Sequence, residues 1–236
     1  TQARAWRLLA QAREIAERLD DPFVLGTVES CEAAVEMCLG RWRVAAELAL
    51  RAGDTFRRRC TGVTWEINTG VVFRQVSLLW MGRLQELSAL VQAQVRSALD
   101  RGDLYAATYS RLHAWHEPIA ADNVTRASAE TREIIGRWSQ RGFHLMHYWA
   151  LYGEAQYELY TGDALAARER LVQAWPTLKA SNLLRIQFLR ISTTLLRGIT
   201  AVAAAEARQG GDPQRLPRAA EEDAARLARE GAGWSD

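Results

Sequence analysis

Tyr148-Trp149-Ala150-Leu151-Tyr152-Gly153-Glu154-Ala155-Gln156-Tyr157-Glu158-Leu159-Tyr160-Thr161-Gly162-Asp163-Ala164-Leu165-Ala166-Ala167 is the stretch on which the fold turns. Trp149, Tyr152, Gln156 and Tyr160 follow an i, i+3, i+7, i+11 line, the spacing of one face of a helix. Thr161-Gly162-Asp163 then ends one helix and starts another. Glycine tolerates the left-handed conformation just past a helix end, and an aspartate next to it caps the helix that follows. The stretch reads as a helical hairpin.

The same punctuation recurs outward in both directions. Turn signals fall at Asp20-Asp21-Pro22, Leu39-Gly40-Arg41, Thr61-Gly62, Met81-Gly82-Arg83, Arg101-Gly102-Asp103, Asp122-Asn123, Arg141-Gly142, Ser181-Asn182 and Gly210-Gly211-Asp212-Pro213. Pro22 and Pro213 sit where a first helical turn tolerates proline. Between turns lie segments of about eighteen to twenty residues with apolar spacing of the helical kind and hardly any strand signal. Every second turn is about 40 residues on, a period that sets Phe23, Trp65, Tyr105 and Leu145 in one column. The pattern predicts an all-α solenoid of about eleven antiparallel helices in five hairpins, each burying its face against its neighbours. Residues 1–209 form the repeat array, and 210–236 a linker with a charged terminal helix that opens a further repeat. Glu222 and Arg226 pair there at i,i+4. The first residues already lie in a helical pattern, and Trp234 stands close to the end. Both lead us to expect a piece of a longer protein.

Composition narrows the function. Of 236 residues, 48% are hydrophobic and 25% charged, ordinary for a globular chain. A formal charge of +2 is too small to argue for nucleic acid. Apolar helices are interrupted by Arg or Glu, so no membrane span is expected. Three cysteines, Cys31, Cys38 and Cys60, without CxxC spacing fit a reducing cytoplasm. No phosphate-binding glycine loop, nucleophile elbow or HExxH is present, and the turns are too short to carry catalytic loops. A non-enzyme without cofactor is expected.

The hairpins resemble the tetratricopeptide repeat. With Gly162 as turn glycine, Ala155, Ala167 and Ala174 take the small-residue positions where paired helices approach closely, and Gly40 places Ala33, Ala45 and Ala52 alike. The middle repeats depart, with Gln75, Leu87 and Gln94, then Trp115, Ala127 and Ile134, and a period near 40 implies longer helices. TPR-like describes the array. A narrower likeness runs through Arg58 to Glu66, Arg101 to Thr108, and Arg137 to His144 with Tyr160 to Asp163. These stretches resemble the C-terminal helical region of large bacterial serine/threonine protein kinases, in which a kinase domain and an ATPase module precede a helical array. The resemblance implies a regulatory or interaction segment of a cytoplasmic signalling protein. Its partner would be a protein or peptide, its own kinase or ATPase domain among the choices.

In the tetratricopeptide family the first helix of each hairpin lines a concave groove. That resemblance makes Trp149, Tyr152, Gln156 and Tyr160, with Tyr109 and His116 one repeat earlier, the expected lining of a peptide groove. Packing between helices is the competing expectation for the same aromatics. Trp42, Trp65, Trp138 and Trp175 are expected to pack. His113 and His116, like His144 and His147, share a helical face at i,i+3, but the two pairs are offset along their helices and no metal is expected. The Arg57-Arg58-Arg59 run suits a helix C-terminus. Two other functions remain open: sensing of a small molecule in a pocket between hairpins, by a helical-repeat domain of a signalling ATPase or transcription regulator, and self-association.

Overall fold

The computed structural model describes residues 2–209 and 214–234, and every described element is helical. The turn expected at Gly210-Gly211-Asp212-Pro213 lies outside the described residues. The chain divides into two compact units, one up to Ala93 and one from Gln94 on, with the division inside helix α5 (Leu84–Asp100).

The first unit holds α1 (Gln2–Leu19), α2 (Pro22–Cys38), α3 (Trp42–Arg59), α4 (Thr64–Trp80) and the opening turns of α5. Its start signals are those read from the sequence. The Asp21 carboxylate accepts from the Phe23 N–H at 2.8 Å, with Pro22 in the first turn of α2. Past α2, Gly40 takes φ +76° and the Arg41 N–H donates back to the Glu36 carbonyl at 2.9 Å, so orphan carbonyls are satisfied while the chain reverses. α2 packs on α3, α3 on α4, and α2 also touches α4. Small residues permit this closeness: Ala33, Ala45 and Ala52 are wholly or almost wholly buried. Ala52, Phe56 and Val63 form one cluster with Ile67 against it, and burying Phe56 alone contributes about 2–3 kcal/mol. Trp42 and Trp80 stack with centroids 5.5 Å apart.

The second unit holds the rest of α5, then α6 (Leu104–His113), α7 (His116–Ala120), α8 (Val124–Gly136), α9 (Leu145–Tyr160), α10 (Ala164–Ala180), a 3-10 turn (Leu183–Arg185), α11 (Gln187–Glu206) and α12 (Arg215–Leu227). α9 packs on α6, α8 and α10, and α11 lies between α10 and α12. Ala155 and Ala167 are fully buried where α9 meets α10. The helix expected to run unbroken from Asp103 to Ala121 is broken between His113 and His116. Pro118 explains the break, because it lacks an N–H and its ring crowds the carbonyl four residues back, at Ala114. His113 and His116 therefore share no continuous helical face, a correction to the sequence reading.

By length and composition α11 could cross a membrane, but 61% of its apolar window is buried inside the fold. It also carries Arg197, whose guanidinium lies 4.0 Å from the Trp175 ring centroid. Fully buried Asp223 of α12 accepts from Arg168 at 3.0 Å and from Arg226 at 2.6 Å, tying α12 to α10. Glu222 and Arg226 pair at 3.3 Å as their spacing predicts. Trp234 packs on Phe188 at 5.7 Å beside the Ile191, Leu227 and Ala232 cluster.

Candidate functional site

In the first unit a groove of about 270 Å³ opens between α2 and α4. Phe23, Thr27, Ser30 and Ala34 recur along one face of α2, and Trp65, Thr69 and Phe73 along one face of α4, with Phe56 at its base. Local hydrogen bonding makes the walls less polar than their sequence. The Thr27 hydroxyl donates to the Phe23 carbonyl at 2.7 Å and the Thr69 hydroxyl to the Trp65 carbonyl at 2.9 Å. Their methyl groups are left as the remaining contact surface. Polar handles remain. The Ser30 hydroxyl is buried with no partner among the described residues, and Glu66 lines the groove. Cys31 lies there too, and burial raises its pKa, so it is a neutral thiol and not a thiolate nucleophile.

Trp65 is 62% exposed and Phe23 44%. Water-facing tryptophan of that degree marks a contact surface more than scattered leucines do. Trp65 was expected to pack, and its exposure corrects that expectation: α4 buries Gly70, Val71 and Gln75 and leaves the first-turn tryptophan outside. The sequence signal that could have found the groove is the column joining Phe23 to Trp65 across one repeat.

The six residues expected to line a groove are placed differently. Tyr109, His116, Trp149 and Tyr152 are buried in the second unit, while Gln156 is half-buried and Tyr160 exposed. The four buried side chains face one another and their neighbours. His113 stacks on Tyr109 at 5.6 Å and meets the Trp149 ring edge-on at 4.5 Å, and Trp149 meets Tyr152 at 5.8 Å. Trp115, carried in by the α6–α7 break, reaches both Tyr152 and His116. Tyr160 lies apart, its hydroxyl donating to Asp122 at 2.9 Å.

Burial sets the electrostatics of this cluster. It pushes His113 down to about 3, with His116 nearby adding to the effect, and His116 down to about 4. Both are neutral at pH 7, and neither ring nitrogen of His113 has a hydrogen-bond partner among the described residues. Burial pushes the Tyr152 phenol up to about 12. His147 is used locally, its Nδ1 accepting the His144 N–H at 3.1 Å at the start of α9. Among the described residues no three His, Cys, Asp or Glu side chains gather within reach of one ion.

Compared with known proteins, the chain matches no family model, no curated protein and no solved structure.

Proposed function

We propose that the chain is a non-catalytic helical-repeat interaction and regulatory region, a TPR-like α-solenoid segment whose docking face is the α2–α4 groove. The observation that carries this reading is the exposed Trp65 beside Phe23 over an apolar groove. Interface hot spots are enriched in tryptophan, and helices that present alternate turns to one groove suit an extended peptide or a helix with apolar anchors. Support for the repeat arrangement comes from the backbone. Left-handed residues recur at Asp20, Gly40, Gly62, Gly82, Gly102, Asp122, Gly142, Gly162 and Asn182, about one helix apart. The contacts of α2 with α4 and of α6 with α9 are those expected if these are first helices of successive hairpins. Following the kinase resemblance, the occupant is a segment of the kinase or ATPase part of the same signalling protein, and occupancy regulates that part.

The test is binding of the purified chain to the catalytic domains encoded alongside it. Trp65→Ala and Phe23→Ala are expected to weaken that binding at least tenfold while the thermal midpoint of the chain stays in place. Unchanged affinity with both variants folded overturns the groove assignment.

A further inference from the structure

A second concave site lies wholly within residues 104–138 and owes nothing to the α2–α4 groove. It is a cleft of about 540 Å³ between α6 and the end of α8, within the size range of small-molecule sites. Leu104, Ile134 and Trp138 supply its apolar walls. Four charged side chains line it: Arg111, Glu130, Glu133 and Arg137. Three of them are engaged along α8, Glu130 by Arg126 at 2.8 Å and Glu133 by Arg137 at 2.6 Å. Arg111, projecting from α6, makes no side-chain ion pair or hydrogen bond among the described residues. The cleft thus keeps one uncommitted guanidinium. The Trp138 indole N–H is buried with no acceptor among the described residues, so Trp138 meets the cleft with its ring carbons.

These features select a ligand chemistry. A guanidinium offers two parallel N–H groups that match a carboxylate. Glu130 and Glu133 in the lining disfavour a multiply charged anion such as a phosphate, whereas a single negative charge matches the one uncommitted guanidinium among the described residues of the cleft. Leu104, 67% exposed, and Trp138 want an apolar body beside that charge. We propose that this cleft binds a small amphipathic carboxylate, its carboxyl group on Arg111 and its apolar body against Leu104, Ile134 and Trp138.

The experiment is calorimetric titration of the 236-residue chain with octanoate and with 3-phenylpropionate, each beside its methyl ester. At least one acid should bind saturably at one site, and its ester about tenfold or more weaker. Arg111→Gln should weaken the acid about tenfold and leave the ester unchanged, and Trp138→Ala should weaken acid and ester alike. Trp65→Ala should change none of these values, which keeps the cleft separate from the docking groove. No saturable binding by either acid overturns the proposal, as does equal binding of acid and ester. An Arg111→Gln protein that binds the acid like the unaltered chain also overturns it.

Discussion

At the scale of single residues, Gly26 lets α2 come close to the ring of Phe56. A Cβ there would stand 2.8 Å from Cε1 of Phe56, a ring that is itself fully buried and held between α2, α3 and α4. To make room, the ring would have to shift against the packing of Ala52, Val63 and Ile67 or into the α2–α4 groove. Gly26→Ala is expected to destabilise the fold by about 1–3 kcal/mol through overpacking, seen as a lower urea midpoint with an unchanged m-value. A midpoint equal to that of the unaltered chain would show that the ring moves. Gly162 is a different case: nothing lies within 4 Å, and its φ of +85° is what requires glycine.

At the scale of elements, α12 depends on charge more than on apolar surface. Only Asp223 and Leu227 of that helix are buried. Asp223 holds Arg168, 7% exposed, and Arg197, 8% exposed, besides the more accessible Arg226. Removing the carboxylate leaves two nearly buried guanidinium groups without their counter-ion. Asp223→Ala is therefore expected to cost about 3–5 kcal/mol. The loss should appear in hydrogen exchange as early opening of α12 and of the adjoining face of α11. Protection of α12 equal to that of the unaltered chain would show that Leu227 and the Trp234 contact hold it without the ion network. The two ends of this network were legible as charges in the sequence, but not as a network. Arg168 and Asp223 stand 55 positions apart, and no local pattern pairs them.

At the scale of the whole molecule, the buried histidines make stability depend on pH. An unfolded chain protonates His113 and His116 near pH 6.5, while the native state resists until about 3 and 4. Below pH 6.5 the unfolded state binds more protons than the native one, so stability falls as pH falls toward 4 and is level above about 7. The urea midpoint at pH 5.0 should lie below that at pH 7.0, in an interval where ordinary carboxylates scarcely titrate. His113→Phe keeps an aromatic ring against Tyr109 and Trp149 and removes the proton site. It should flatten much of that slope, and a slope unchanged by the substitution would assign it elsewhere.

The helical class, the turn positions and the caps were written locally in the sequence. Periodicity, Gly40, Gly162, Asp21 and Asp163 act within one or two turns of chain, so their reading carries straight into the backbone. Pro118 acts just as locally, and its break between α6 and α7 was legible in principle. Which tryptophan meets water was not. Trp65 and Trp149 both lie on apolar helical faces, and nothing in their spacing separates them. Trp149 is covered because α6 brings Tyr109 and His113 over it, whereas α2 passes Trp65 at a distance that leaves a groove. The exposure of a side chain belongs to the neighbours that cover it, and those neighbours are chosen only when distant helices pack.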